Sequence, residues 1–242
     1  VHAGVDFRAR RRLLEVGCGV GAQTEILLER FPRLQIEGVD ASAAQLARAR
    51  TRLRSAIRQG RVRLSQAQAA ALPFDDGHFD SAFVCWLLEH LKEPVAALRE
   101  IHRTLARRGR IYCTEVLNSG FYLHPYSPAT LQYWFAFNDH QWSLGGDPFV
   151  GGKLANYLLA AGFRQVVTRP VIHHFDNRQP RARAEFIEYM SGVLLSGAPG
   201  LIAEGRVTPK LVARMRVELE RLKAAPDAVI FDVFIQASAE KA

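Results

Sequence analysis

The sequence predicts an α/β fold: a doubly wound, mostly parallel sheet with an antiparallel last strand and a helical cap inserted before it. Three observations predict it. Short apolar segments alternate with segments of helical period through the first 175 residues; a glycine-rich turn follows the first apolar segment and opens a helix; and an acid, Asp40, closes the second. The 242 residues can bury one generous core and carry a subdomain. The expected division is an α/β domain over residues 1–175, with an aromatic substrate-loop region at 117–150, a helical cap at 176–227 and a last strand within 228–242.

Residues 12–16 read as a buried strand ending at glycines, and residues 22–31 show helical spacing in Ile26, Leu27 and Phe31. Residues 34–39 form a second strand closed by Asp40. Ser42 and Gln45 then make a capping-box pattern opening a helix to about Ile57. Strands follow at 61–65 and 79–86, the latter nearly continuous in apolar residues, as a parallel strand buried on both faces requires. Pro94 suits the first turn of a helix whose Leu98, Ile101 and Leu105 share a stripe; Gly109 breaks it, and 110–116 is a fifth strand. Residues 121–149 are aromatic-rich with few helical signals at their start. A helix at 153–161, stopped by Gly162, precedes a strand at 163–174. The cap holds two amphipathic stretches: Phe186, Met190 and Val193 share one face, and Leu211, Met215, Leu219 and Leu222 share another behind a Thr208–Pro209 start. Its apolar faces are expected to wall a substrate pocket.

Composition narrows the function classes. Hydrophobic residues at 48% and charged residues at 23% exclude a disordered or fibrous chain. The net charge of +8 raises a polyanionic partner, but the basic residues are scattered. The one dense run, Arg8, Arg10, Arg11 and Arg12, reads as a solvated entry to the first strand, and a nucleic-acid partner is not expected. Cys18, Cys85 and Cys113 lack C-x-x-C spacing, so neither a disulfide framework nor a metal site is indicated and a cytoplasmic setting is expected. No membrane span is read. A homodimer is compatible with the chain.

The chemistry concentrates in Glu15-x-Gly17-Cys18-Gly19-x-Gly21, which follows a strand and opens a helix, with Asp40 at the end of the next strand. Glycines let the backbone turn tightly and approach a ligand, and a carboxylate about 20 residues on can accept both ribose hydroxyl protons. Dinucleotide folds want a third glycine one residue later than Gly21, which disfavours a pyrophosphate ligand.

These residues resemble the class I S-adenosylmethionine (SAM)-dependent methyltransferase family, whose first motif is the E-x-G-x-G-x-G stretch. The resemblance continues through Leu72-Pro73-Phe74-Asp75-Asp76-Gly77-His78-Phe79-Asp80, Leu88-Glu89-His90-Leu91 and the helix-Gly-strand unit around Gly109. It implies a Rossmann-like domain with SAM as cofactor, S-adenosylhomocysteine as product and a small, partly apolar or aromatic metabolite as acceptor. It also implies that Gly17, Cys18, Gly19 and Gly21 approach the methionine part and ribose, with Glu15 bracing the loop and Asp40 holding the ribose. Gln68 stands where the family usually places the group that bonds the adenine amine, and Ala41 and Ala69 would line the ring. Cys85 and Trp86 lie at the carboxyl end of the fourth strand, where open α/β sheets bind ligands. In the family an amino-terminal helix often adds to the lid; this chain starts at Val1 without it, so residues missing upstream are an expectation.

Methyl transfer from a sulfonium is an in-line displacement, so alignment and water exclusion come first and a base is optional. The catalytic candidates are Glu115, Tyr122 and His124, after the fifth strand, with Asn118, Tyr126 and His140 nearby. Two other readings compete: an RNA or protein methyltransferase, and a SAM-binding protein that does not methylate, since fold alone does not fix function.

Overall fold

The computed structural model describes His2 and residues 4–242. The chain forms two compact units. The first comprises Val1–Glu115, Val150–Arg169 and Ile235–Ala242; the second comprises Val116–Phe149 and Pro170–Phe234. The aromatic segment expected with the α/β domain thus groups with the helical insertion.

In the first unit, β1 (Arg12–Val16), β2 (Gln35–Asp40), β3 (Val62–Gln66), β4 (Phe79–Cys85) and β5 (Leu105–Val116) alternate with α1 (Ala22–Arg30), α2 (Ala43–Arg52), α3 (Arg54–Arg58) and α4 (Pro94–Thr104). After the aromatic segment come α6 (Leu154–Ala160), β7 (Arg164–Phe175) and, last, β8 (Val229–Glu240); the unit boundaries fall within β7, after Arg169, and within β8, before Ile235. The strand order is β3-β2-β1-β4-β5-β8, with β7 also on β8. Strands β1 to β5 pair in parallel, Leu14 standing opposite Glu37 and Ala82. β8 runs against β5: the Arg108 N–H donates to the Lys241 carbonyl and the Lys241 N–H to the Gly109 carbonyl. Leu13, Leu14, Phe83, Val84, Leu98 and Ile101 are fully buried between the layers. The Asp80 carboxylate takes the Arg11 and Arg12 N–H groups at 2.8 and 3.1 Å, so the arginine run is indeed a strand entry, tethered by a side chain of β4.

Two boundaries differ from expectation for visible reasons. The helix after Asp40 begins as expected, with Ser42 Oγ accepting the Gln45 N–H at 3.3 Å, but breaks at Leu53, which turns inward against Gly21. Leu105 belongs to β5 rather than to the preceding helix. It pairs with Phe79, residues 106–109 bulge outward with Arg108 at φ 62°, and pairing resumes at Arg110 opposite Ser81.

The second unit contains β6 (Tyr122–His124), α5 (Pro128–Ser143), α7 (Pro180–Ala203) and α8 (Pro209–Ala224). β6 pairs antiparallel with β8, Tyr122 opposite Phe231. The sequence hid α5 because its apolar residues surround the helix: Tyr133 and Trp134 are buried while Phe135 and Trp142 are exposed. Tyr133 and Trp134 join Ile187, Met190 and Leu194 of α7 and Leu211, Met215, Leu219 and Leu222 of α8 in one core. The cap's apolar stripes, expected to wall a pocket, are therefore consumed in this core, with Phe186 packed at its margin. Helix α7 is long and apolar enough to cross a bilayer, yet its inward residues close this core and it carries buried Arg183, whose guanidinium donates to the Ala225 and Ala228 carbonyls.

The start of α5 has no cap of its own. Glu218, on α8 and 89 residues away from Ala129, accepts the Ala129 and Thr130 N–H groups at 3.0 and 2.7 Å and the Thr130 hydroxyl at 2.9 Å. Removing it leaves helix-end donors without their charged acceptor, so Glu218→Ala should lower stability by about 1–2 kcal/mol, Glu218→Gln by less, as read from urea unfolding. Equal midpoints for parent and Glu218→Ala would show that the bonds contribute nothing net.

Candidate functional site

The glycine loop is folded back onto the end of β2. Gly17 and Cys18 both donate their N–H to the Val39 carbonyl, at 2.8 and 3.0 Å, and the Gly21 N–H closes on the Cys18 carbonyl at 2.8 Å. This path needs left-handed backbone at Gly17 (φ 77°), Gly19 (φ 51°) and Gly21 (φ 78°), which residues with a Cβ adopt at a cost. Asp40 locks the tip: Oδ2 accepts the Gly19 N–H at 2.9 Å, and Oδ1 accepts the Ser42 N–H at 2.8 Å. A carboxylate so held is preoriented at the loop's edge.

Glu15 is buried beneath the loop and accepts the Thr24 hydroxyl at 2.7 Å; burial pushes its carboxyl up to about 7. It braces the strand–helix junction. Cys18 faces inward, with Sγ 3.2 Å from where a Cβ on Gly38 would stand, and burial pushes its thiol up. Only its backbone is left for a ligand. A Cβ placed on Gly19 would meet no atom within 4 Å, so the open side of the loop offers a cradle in front of a fixed acid. That combination fits the ribose and methionine parts of the expected cofactor.

The adenine side is tied to the same place. The Ala67 N–H donates to the Asp40 carbonyl at 3.2 Å and Gln66 Nε2 to the Ala41 carbonyl at 3.0 Å, which sets the turn bearing exposed Gln68 and half-buried Ala69 beside exposed Ala41. On the other side β4 ends at buried Cys85. Trp86 then takes φ 54°, unusual for an aromatic residue and of the kind that gathers at functional sites. Leu87 follows, its side chain 3.0–3.2 Å from where a Cβ on Gly17 would lie. All eleven cofactor candidates (Glu15, Gly17, Cys18, Gly19, Gly21, Asp40, Ala41, Gln68, Ala69, Cys85 and Trp86) thus lie in the first unit, on the loops that follow β1, β2, β3 and β4 or at the strand ends that lead into them.

The catalytic candidates part ways. Glu115 has no exposed surface, and its Oε1 accepts the Leu87 and Leu88 N–H groups, each at 3.0 Å. Burial pushes its carboxyl up to about 8. Tyr122 and His124 sit on β6 of the second unit, both exposed, with His124 Nε2 3.4 Å from Asp227 Oδ2. Asn118 is structural: buried, it donates to Asn138 at 2.7 Å, and its carbonyl accepts Trp134 Nε1 at 3.0 Å. His140 lies 3.2 Å from Glu204. No cluster among the described residues could hold a metal.

Sequence reasoning missed Asp232, buried in β8 of the second unit with its Oδ1 on the Val233 N–H; burial pushes it up to about 6. The signal was present, a lone acid inside the apolar run Ala228-Val229-Ile230-Phe231-Asp232-Val233-Phe234.

Residues 14–113 match the family described as a methyltransferase domain. Among curated relatives, a demethylmenaquinone methyltransferase of Thermus thermophilus is 36% identical over 109 residues, 45% of this chain and 48% of that protein. A trans-aconitate 2-methyltransferase of Rhodopseudomonas palustris is 39% identical over 90 residues, 37% of this chain and 34% of the other. The chain spans about half or less of the length of these relatives. Among solved structures, the [4+2]-cyclase SpnF is 26% identical with a TM-score of 0.57, covering 95% of this chain and 75% of its own. A phosphoethanolamine N-methyltransferase of Haemonchus contortus, solved with S-adenosylhomocysteine, shares the fold at 19% identity and TM-score 0.60, covering 99% and 51%.

Glu15 and Glu115 retain protons in the folded chain up to about 7 and about 8, whereas the unfolded chain releases them near 4.5. Between these values the native state binds more protons, so their contribution to stability falls as pH rises from about 4.5 to about 8. His2, His102 and His173, all lowered by burial, act with opposite sign below 6.5. Comparison with the Glu15→Gln/Glu115→Gln double variant isolates the carboxyls: the variant should gain on the parent in urea unfolding as pH rises across that window. A difference independent of pH would contradict burial as the cause.

Proposed function

We propose that this chain, whose residues 14–113 match a methyltransferase-domain family, is a class I SAM-dependent methyltransferase that binds SAM on its glycine loop and methylates a small, partly apolar or aromatic metabolite. The observation that carries the reading is the pairing of Asp40 with Gly19: a carboxylate fixed by two backbone N–H groups beside a left-handed glycine with open space before it. The relatives' names point the same way, to acceptors as small as trans-aconitate and a menaquinone precursor.

When bound, SAM supplies an electrophilic methyl on a sulfonium sulfur. The chain's own work is then binding and alignment. Asp40 would accept hydrogen bonds from the ribose hydroxyls through the carboxylate that the Gly19 and Ser42 N–H groups hold in place. Gly17 and Gly19 bring backbone close to the methionine part, while Gln68 offers its amide oxygen to the adenine amine and Ala41, Ala69 and the Cys85–Trp86 end of β4 flank the ring and ribose. Fixing the electrophile in this way converts the displacement into a positioned, effectively unimolecular step. Where the acceptor must lose a proton, His124, exposed on β6 and 3.4 Å from Asp227, is the candidate base.

The likeness to a [4+2]-cyclase makes methyl transfer itself the property to test. With SAM carrying a labelled methyl, label should appear in acceptors from a metabolite extract; label that stays on SAM despite tight binding would mean the cofactor serves as a scaffold. Asp40→Ala should weaken SAM binding by about 1–3 kcal/mol in calorimetry, since a charged acceptor is lost. Unchanged affinity would remove Asp40 from the site. With an acceptor that needs deprotonation, His124→Ala should lower kcat by about 10²–10⁴ with SAM affinity intact. Normal turnover would leave alignment as the whole mechanism.

A further inference from the structure

The last residue of the first unit's β5 stretch does something the proposed reaction does not require of an acid. Glu115 is fully buried, and its Oε1 is committed to the Leu87 and Leu88 N–H groups. Its Oε2 is buried without a hydrogen-bond partner. Its neighbours include the Glu89 carboxylate and the Cys85 and Cys113 thiols, both thiols pushed up by burial and by Glu115 itself. A proton delivered to this carboxyl would have no route out, which argues against the base role the sequence suggested.

What Glu115 holds is the turn after β4. Trp86, at φ 54°, donates its N–H to the Thr114 carbonyl at 3.0 Å, so consecutive residues of β5 secure the turn, one through its backbone and one through its side chain. Left-handed backbone at an aromatic residue persists only where the surroundings over-determine it, and these three bonds do so. The turn in turn supports the glycine loop, because Leu87 fills the space against Gly17 that a Cβ would need. Contact runs without a gap from Glu115 through Leu87 to Gly17.

We infer that Glu115 is a positioning residue for the cofactor loop, fixing residues 86–88 so that Leu87 backs Gly17. The inference rests on the reading that this loop holds SAM. A loop already fixed in its binding conformation loses less freedom when the cofactor arrives, so the brace acts on affinity and leaves the methyl-transfer step alone. Glutamine at this position keeps an acceptor oxygen for the two N–H groups; alanine does not.

Two measurements on the full chain test it. Without ligand, amide exchange at Leu87, Leu88 and Gly17 should be about tenfold faster in Glu115→Ala and close to the parent rate in Glu115→Gln, as expected for loss of two buried hydrogen bonds. With SAM, Glu115→Ala and Leu87→Ala should each weaken binding about tenfold, the double variant no further, while Glu115→Gln turns over within about threefold of the parent at saturating SAM. Additive losses in the double variant would overturn the inference, as would a Glu115→Gln chain that binds SAM normally but loses turnover, since that marks a base. Should Glu115→Ala not fold, Leu87→Ala and Glu115→Gln still decide: slow Gly17 exchange in the first, or lost turnover in the second, would refute it. A parent that binds no SAM would refute the proposed function alone, because the exchange comparison judges the brace without cofactor.

Discussion

The Val39 carbonyl and the Asp40 carboxylate, at the end of β2, are the fixed points on which the site depends. Between them they take the N–H groups of Gly17, Cys18, Gly19 and Ser42, so the end of one strand holds both the loop that leaves its neighbour and the start of the helix that follows it. This is possible because the parallel strands β1 and β2 end at the same edge of the sheet. The glycine path brings three successive N–H groups onto these acceptors, and its left-handed residues make side chains costly there. Asp40 closes the loop in consequence, and under the proposed function it is also the acceptor for the ribose.

Around that point the polar groups are buried and sparingly satisfied. Glu15 beneath the loop and Glu115 beneath the next turn are both fully enclosed, each with one side-chain oxygen engaged by the fold. Burial that favours the protonated form of these carboxyls makes the framework pH-sensitive. Both act on backbone, Glu115 on the turn after β4 and Glu15 at the strand–helix junction.

The first unit was legible in sequence because its information is local. Glycines at fixed offsets, an acid twenty-odd residues later, a Ser42–Gln45 cap and apolar runs bounded by turns each report on nearby backbone, and the loop candidates come together as read. What escaped needed distant partners. The bulge at 106–109 depends on Phe79 and Lys241, and α5 depends on Glu218 of α8 for its first turn and on α7 and α8 for its buried side. Helix α5 shows no clean stripe because aromatic residues occupy both its faces. Glu115 shows the same limit: its two backbone donors, 27 and 28 residues earlier, are visible only in the fold.

The proposed site is defined by where the cofactor sits. A structure of the chain with S-adenosylhomocysteine decides this most directly, as the product analogue needs no acceptor. The account predicts the ribose hydroxyls on the Asp40 carboxylate, the amino-acid part along Gly17 and Gly19, and the adenine between Ala41 and the turn at Gln68 and Ala69. Binding elsewhere in the first unit, with no ligand group on Asp40, would contradict it.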